Sequence, residues 1–113
     1  MVRKIFLAKI FFTDLSNYKI RPILVIKEYK EEDALFLPLT TSLDINGISI
    51  TDDELETGAI YKPSVVVVPK IGIVHKSFLI KEIGLVKEEV FRKVMKEICS
   101  SFDCGKLYWL GKQ

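Results

Sequence analysis

The side chains best suited to phosphate or acid–base chemistry lie around two apolar segments in the first half of the chain. Arg21 follows a polar loop that contains Ser16, and Thr40 and Thr41 end the next apolar run. A guanidinium stays charged at any working pH and can bind two oxygens of one anion, and a nearby hydroxyl can add a hydrogen bond. The single histidine, His75, could act as a base, but a lone histidine after a strand is usually structural or exposed. Without further context, an arginine of this kind is more often a solvated or ion-paired surface residue, and a hydroxyl more often bonds to nearby backbone groups. Whether these side chains form a site therefore depends on the strands and loops that position them.

Segments rich in β-branched and aromatic residues predict five short strands. They cover residues 3–12, 20–29, 34–41, 47–51 and 64–74. A polar reversal at 30–33 joins the second and third strands as an antiparallel hairpin. Pro22 lies near a strand start, and Pro38 suggests an edge position or a bulge, because proline cannot donate to a ladder. Pro69 and Gly72 suggest a bend in the last strand.

The third strand carries a period-two pattern that separates its two faces. Leu35, Leu37 and Leu39 fall on one face, which we expect to be the core. Thr40 then points the other way, toward a groove. This alternation favours Thr40 over Thr41 as the hydroxyl that could face a ligand.

One convincing helix is predicted at residues 86–102, where apolar residues recur at helical spacing and Glu88 and Glu89 favour the N-terminal dipole. Its expected apolar face consists of Val90, Phe91, Val94, Met95 and Ile98. Residues 51–58 could form one helical turn that ends at Gly58. The tail at 105–112 holds Tyr108, Trp109 and Leu110, an apolar cluster that we expect to dock on its own domain.

The composition describes a folded protein of one domain, residues 1–113, that is mainly β. Hydrophobic residues make up 49% of the chain and charged residues 28%, which argues against disorder. Five short strands and one C-terminal helix fit a small antiparallel barrel. The net charge of +2 excludes a wholly basic surface but not a local basic groove.

Membrane insertion, secretion and a structural metal are not expected. The longest apolar runs are far shorter than the roughly 20 residues of a membrane-spanning helix, and no cleavage site follows the N-terminal segment, so we expect a cytoplasmic protein. Cys99 and Cys104 are expected to be free thiols. A metal site would need more ligands than these cysteines and the distant His75 supply, so no metal or cofactor is predicted.

Three ordered blocks of the sequence resemble the MazF/PemK family of toxins. Residues 11–26 (FFTDLSNYKIRPILVI) resemble its N-terminal strand, polar loop and Arg-Pro pair, and residues 35–42 (LFLPLTTS) resemble its next strand. Residues 64–94 are similar to its late strand and closing helix. The resemblance therefore covers nearly the whole chain.

This resemblance implies a fold, an activity and partners. The fold is an SH3-like antiparallel barrel with a C-terminal helix that pairs into a homodimer. The activity is sequence-selective cleavage of single-stranded RNA, in particular mRNA, by attack of the 2′-hydroxyl and without a metal. The expected protein partner is a cognate antitoxin, and no membrane is involved.

Applied residue by residue, the resemblance and the local chemistry assign catalytic residues and substrate-binding residues. The expected catalytic residues are Arg21, Thr40 and Ser16, and the expected substrate-binding residues are Tyr18, Lys19, Thr41 and Lys70. Arg21 matches the Arg of the Arg-Pro pair and would stabilise charge on the phosphate. Tyr18 could stack on a base, while packing in the core is expected for Phe11 and Phe12.

The chain departs from the family pattern at two places. Arg3 and Lys4 stand where the family usually has Gly-Asp, and Gly72-Ile73 stands where it has a pair like Arg-Thr; Lys70 could replace a substrate-binding residue there. The alternative is therefore a barrel that has lost catalysis and binds a protein, or a toxin that acts on gyrase as the CcdB toxins do.

Overall fold

The computed structural model describes residues 1–11 and 16–103, and it contains eight strands and one α-helix in these ranges. The strands are β1 (Lys4–Phe11), β2 (Tyr18–Glu28), β3 (Asp33–Thr40), β4 (Gly47–Ile50), β5 (Leu55–Gly58), β6 (Ser64–Val67), β7 (Gly72–His75) and β8 (Leu79–Val86). The helix α1 spans Glu88–Ser101, and two 3₁₀ turns span Asp52–Glu54 and Lys76–Phe78. The expectations for Phe12, Cys104 and the tail at 105–112 concern residues outside the described ranges.

All strand pairs are antiparallel, and together they form one curled sheet. The order of the strands is β4-β6-β3-β2-β1-β8-β5, and β7 pairs with the free part of β3. The predicted hairpin of β2 and β3 is confirmed, with Ile23 opposite Pro38 and Leu24 opposite Leu37. A curled antiparallel sheet followed by one helix confirms the predicted fold class.

The positions of the two prolines follow from the ladders that surround them. Pro22 pairs with Leu7 of β1, and the ladder of β2 with β3 begins only at the next residue, Ile23. On the second edge of β3, β7 is paired up to Phe36 and β6 from Leu39, so Pro38 falls between the two partners. The missing N–H therefore falls where a partner strand ends, as expected for proline in a sheet.

The single bent strand predicted at 64–74 is in fact two separate strands, β6 and β7, so the prediction of one continuous strand was wrong. β6 pairs with the end of β3 and with β4, whereas β7 pairs with the beginning of β3. β8 was not predicted from the sequence; it pairs with β1 on one edge and with β5 on the other. Register shifts interrupt both of these pairings, so β8 lacks the regular alternation that marks a strand in a sequence.

The predicted helical turn at 51–58 is present but ends early. The turn spans only Asp52–Glu54 and begins with a capping box, in which the Thr51 side chain accepts from the Asp53 N–H and Glu54 Oε1 accepts from the Thr51 N–H (3.0 Å). Gly58 therefore ends β5, not a helix. Its φ of 82° and its close approach to the Ile83 carbonyl leave no room for a side chain.

The main core lies between the concave face of the sheet and α1. Leu24, Leu37 and Leu39 are buried there, and Leu35 packs against them, which confirms the predicted core face of β3. Val90, Val94 and Ile98 bury the helix against this core, each burial contributing roughly 1.5–3 kcal/mol. Met95 was expected on the same face, but it is 37% exposed because it lies at the border of the contact.

A second apolar cluster covers the opposite face of the sheet. Its buried members are Ala8, Ile23, Val25, Ala34, Phe36 and Val74, with Phe78 and Leu79 packed against them. The strands β1, β2 and β3 are thus apolar on both faces, which explains their long β-branched runs. Arg21 lies on this second face, at the end of the sheet where β2 begins.

Arg3 connects the start of β1 to α1 with an unusual backbone conformation. Its φ is 73°, in the left-handed region where glycine is favoured, which accounts for the glycine usual in the family that the sequence resembles. The Arg3 carbonyl accepts from the Val86 N–H (2.8 Å), and its guanidinium reaches Glu56 (3.3 Å) and Glu88 (3.5 Å). These contacts offset part of the backbone strain.

Two substitutions at Arg3 are expected to separate backbone strain from side-chain contacts. Both Arg3→Ala and Arg3→Gly remove the ion pairs, but only glycine relieves the left-handed conformation. The free energy of unfolding should therefore be about 1 kcal/mol higher for Arg3→Gly than for Arg3→Ala, as measured by urea denaturation. An alanine variant as stable as the glycine variant would contradict this explanation.

Within the described ranges, no helix is long and apolar enough to cross a membrane. Cys99 is an exposed free thiol on α1, as expected.

Candidate functional site

An open cavity of about 660 Å³ lies at the end of the sheet where β2 begins and β3 ends. Its size falls within the range of ligand-binding clefts, roughly 300–1,000 Å³. Four of the seven predicted site residues line it, namely Arg21, Thr40, Thr41 and Lys70. The fold therefore brings together residues that are up to 49 positions apart in the sequence (70 − 21).

The pairing of β2 with β3 explains why Arg21 and Thr40 meet. The ladder ends with Ile23 opposite Pro38, and Arg21 and Thr40 each lie two residues beyond this pair, at the same end of the sheet. Residues two apart on a strand share a face, so Arg21 lies on the face of Ile23 and Thr40 on the face of Phe36. Ile23 and Phe36 belong to the second apolar cluster, so this cluster forms the support beneath both polar side chains.

Thr40 is half-buried, and its hydroxyl is oriented by the loop that follows. The Ser42 N–H donates to Thr40 Oγ1 at 3.1 Å. Because the hydroxyl oxygen accepts this bond, its own proton is directed away from Ser42 and can be donated to a ligand in the cavity. This contact supports the alternation argument that selected Thr40, while the exposed Thr41 lies at the rim.

Lys70 reaches the cavity from the segment between β6 and β7. Its N–H donates to the Val67 carbonyl (3.3 Å), and the Ile71 N–H donates to the Pro69 carbonyl (2.7 Å), so the segment is tightly turned. Gly72 follows against the Phe36 ring, where a Cβ atom would come within 2.5 Å of Phe36 Cζ. The contact between Gly72 and the Phe36 ring fixes the position of the segment that carries Lys70.

The cavity has a positive electrostatic character. The described lining residues include two charged ones, Arg21 and Lys70, and both are cationic. None of the ion pairs between described residues involves either of them. Two exposed cations that form no ion pair with a described residue attract an anion, and the guanidinium can bind two of its oxygens.

Three predicted site residues do not line this cavity. Lys19 lies closest, because it pairs with Ile10, which is a lining residue. Tyr18 is 46% exposed and lies against the Phe11 ring (5.5 Å between centroids), with Lys9 Nζ 5.0 Å from its ring centre. Ser16 is exposed at the start of the segment that leads into β2. Their predicted roles stay predictions.

His75 serves the local fold. It caps the second 3₁₀ turn, where its Nδ1 accepts from the Ser77 N–H at 3.2 Å. In the described part of the chain, no group of three His, Cys, Asp or Glu side chains is arranged to hold a metal ion.

Most residues of the cavity wall were not predicted from the sequence. The additional lining residues are Ile10, Pro22, Phe36, Pro38, Leu39, Ser42, Ile45, Val67, Ile71 and Gly72. Phe36 and Pro38 could have been found, because they share the alternating face of Thr40. Ile10 comes from β1 and Ile71 from the segment between β6 and β7, and only the pairing of the strands brings them to the site.

Comparisons with known proteins identify the family and a similar fold. Residues 6–102 match the family of PemK-like, MazF-like toxins of type II toxin-antitoxin systems. The fold is similar to that of the solved Mycobacterium tuberculosis toxin MazF-mt6, with a TM-score of 0.69 and 20% sequence identity over 89% of this chain and 97% of that one. No curated protein matches the sequence significantly.

The family match covers β2, β3, the loop after β3 and the Lys70 segment, which are the elements that build the cavity. It also extends through α1, so it spans the fold as well as the site. The chain is therefore a member of the PemK-like, MazF-like toxins of type II toxin-antitoxin systems.

Proposed function

We propose that this toxin is an endoribonuclease that cleaves single-stranded RNA, with mRNA as its substrate, and that it does so without a metal ion. The observation that carries the proposal is the cavity that collects Arg21, Thr40, Thr41 and Lys70 with no carboxylate among its described lining residues. Such a set of donors suits a phosphodiester, which is an anion before, during and after cleavage. Endoribonuclease activity is also typical of the family.

The proposed reaction is an internal phosphoryl transfer. The 2′-oxygen of one nucleotide forms a bond to the adjacent phosphorus while the bond from phosphorus to the 5′-oxygen of the next nucleotide breaks. The 2′-hydroxyl loses a proton, and the departing 5′-oxygen gains one. The products are a 2′,3′-cyclic phosphate and a 5′-hydroxyl end, so atoms and charges balance without a further reactant.

Arg21 and Thr40 stabilise the charge that develops on the non-bridging oxygens. The Arg21 guanidinium supplies two parallel donors, and the Thr40 hydroxyl supplies one donor whose oxygen is held by the Ser42 N–H. Donors fixed before the reaction stabilise the transition state without a reorganisation cost. Ser16 could add a further hydroxyl, although it does not line the cavity of one chain.

The remaining residues bind the substrate. Lys70 and Lys19 attract the phosphates on either side of the cleaved bond, and Thr41 adds a hydroxyl at the rim. Tyr18 offers an exposed ring, and aromatic rings are what unstacked bases of single-stranded RNA bind. A duplex would keep its bases away from such surfaces, so single strands are the favoured substrate.

The proposal includes a homodimer, a cognate antitoxin and a cytoplasmic location. The proposal of a dimer is supported by two apolar side chains in the loop after β3, Leu43 and Ile45, which are 62% and 43% exposed. Exposed apolar side chains that lie close together often mark a protein–protein interface. The positive cavity would suit an acidic antitoxin segment that competes with RNA. Light scattering of the purified protein, with and without the antitoxin, tests both associations.

The test of the activity is incubation of the purified protein with a long single-stranded RNA in excess EDTA. We expect discrete cuts whose products carry 2′,3′-cyclic phosphate and 5′-hydroxyl ends. The same RNA with a single 2′-deoxynucleotide at a mapped cut should resist cleavage there and nowhere else. Intact RNA in EDTA together with cleavage in Mg²⁺, or cleavage at the deoxynucleotide, would overturn the proposed mechanism.

Lys70→Ala is expected to weaken RNA binding more than it slows the chemical step. Loss of one phosphate contact should reduce the slope of log affinity against log salt concentration by about 0.7 for a single strand. Fluorescence anisotropy with an uncleavable 2′-deoxy oligonucleotide at several salt concentrations measures this slope. Lys93→Ala, an exposed lysine on α1, is the matched control and should leave the slope unchanged.

A further inference from the structure

A second groove, which we call the helix groove, lies between α1 and the adjacent edge of the sheet. Its volume is about 470 Å³, and its apolar lining includes Val2, Ile26, Leu35, Met95, Ile98 and Phe102. Ile26 and Leu35 place it on the side of the sheet that packs against α1, and its lining includes neither Arg21 nor Lys70. Ile71 is a lining residue that both cavities share.

The charged residues at the rim of the helix groove are already engaged. Lys76 donates to Glu28 Oε1 at 3.1 Å, and this hydrogen bond lowers the pKa of the Glu28 carboxyl. Lys27 Nζ lies 5.5 Å from the centre of the Tyr29 ring. The side chains of the groove that an occupant can contact are therefore mainly the apolar ones.

Three of the large apolar side chains that line the helix groove are substantially exposed. Val2 is 37% exposed, Met95 is 37% exposed and Phe102 is 53% exposed. They come from the N-terminus, the middle of α1 and its C-terminal end, yet they border one groove. Adjacent exposed apolar side chains of this size usually mark a surface that another segment covers.

The described chain ends at the mouth of this groove. The Phe102 N–H donates to the Ile98 carbonyl (3.0 Å), and Phe102 itself lines the groove. Asp103 then has a φ of 53°, the left-handed conformation that ends helices and reverses the chain. The last described residues, Phe102 and Asp103, therefore lie beside the groove and end the helix in a reversal.

The composition of residues 104–113 matches an apolar groove. Leu107, Tyr108, Trp109 and Leu110 are consecutive, and no acidic residue occurs in the segment. At about 3.3 Å per extended residue, this cluster can lie up to roughly 13–23 Å from Asp103. The helical rise from Met95 to Phe102 is only about 10 Å, so the cluster can reach the whole groove.

We propose that residues 107–110 of this same chain dock in the helix groove and cover Val2, Met95 and Phe102. Three observations favour this occupant: the described chain ends beside the groove, Asp103 reverses its direction, and the segment that follows has the length and composition to fill the groove. A second copy of the chain is the competing occupant, and the test distinguishes the two.

The test uses the full chain and its single tryptophan, Trp109, as the probe. Acrylamide quenching of Trp109 fluorescence is measured in the wild type and compared with a free peptide of residues 104–113. We expect several-fold weaker quenching in the protein than in the peptide, with emission shifted to shorter wavelength. This protection should be independent of protein concentration, because the docking is intramolecular.

Groove variants assign the protection to this site. Met95→Lys places a charge in the groove at a half-exposed helical position and should raise quenching to the level of the peptide, whereas Met95→Leu should not. Ser100→Lys adds the same charge on α1 outside the groove lining and is the matched control. Val2→Lys changes a lining residue outside α1 and should likewise raise quenching to the level of the peptide. Circular dichroism checks that each variant is folded.

Each other outcome overturns the proposal. Wild-type quenching equal to that of the peptide would mean that the segment is not docked. Protection that persists in both folded groove variants would place Trp109 elsewhere. Protection that is lost on dilution, together with a fall in molar mass, would identify a second copy as the occupant. None of these measurements involves RNA, so they are independent of the proposed nuclease activity.

Discussion

Replacement of Arg21 with alanine is expected to lower the rate of RNA cleavage about 10²- to 10³-fold while leaving the fold intact. The guanidinium is the charged group expected to stabilise the crowded phosphorus centre, because it lines the same cavity as Thr40 and can donate two parallel hydrogen bonds. Its side chain is exposed and forms no ion pair with another described residue, so its removal should change the free energy of unfolding little. Single-turnover cleavage and urea denaturation measure the two quantities.

Two further arginine variants sharpen this prediction. Arg21→Lys keeps the charge but loses the paired donors, so its rate should fall between those of the wild type and Arg21→Ala. Arg92→Ala removes an exposed arginine from α1 and should cleave as the wild type does. An Arg21→Ala protein that is folded and fully active would exclude Arg21 from catalysis and would favour a different function for the cavity.

Thr40→Val is the substitution with the second largest expected effect, a loss of about 10- to 100-fold in the cleavage rate. This range corresponds to roughly 1.4–2.8 kcal/mol of transition-state stabilisation, as expected for one neutral hydrogen-bond donor. Valine preserves the size of the side chain but can neither donate to the phosphate nor accept from the Ser42 N–H. Single-turnover rates at saturating protein isolate the chemical step from binding.

The neighbouring hydroxyl supplies the internal control for this prediction. Thr40→Ser should restore most of the activity, since the hydroxyl is retained, and Thr41→Val should affect the rate less than Thr40→Val does. The prediction fails if Thr41→Val is the more damaging of the two. That result would move the catalytic donor to the rim of the cavity and would contradict the alternation argument for β3.

Two elements of the fold could be predicted because their own residues carry the pattern. The hairpin of β2 and β3 follows from two β-branched runs and a charged reversal, and α1 follows from apolar residues at helical spacing after Glu88 and Glu89. In β3, the leucines on one face and Thr40 on the other follow directly from the alternation of side chains. Each of these features depends on neighbours within a few residues.

The elements that were missed have little local signal. β5 has the sequence LETG, which has low strand propensity, and it is a strand because it pairs with β8. β8 in turn contains a glycine, Gly84, and its pairings with β1 and β5 contain three register shifts, which depend on strands distant in sequence. The break between β6 and β7 likewise follows from two different pairings along β3.

The amino-acid sequence was enough to predict a mainly β chain with one closing helix and to indicate the toxin family. The resemblance to that family in turn pointed to Arg21 and Thr40 as candidate site residues. The sequence could not show that Arg21, Thr40 and Lys70 line one cavity, that Ile10 and Ile71 belong to its wall, or that Tyr18 lies outside it. Local propensity and alternation act over a few residues, whereas a cavity is created where strands far apart in sequence pair and curl. Its shape therefore depends on ladder register and strand twist, which no single segment encodes.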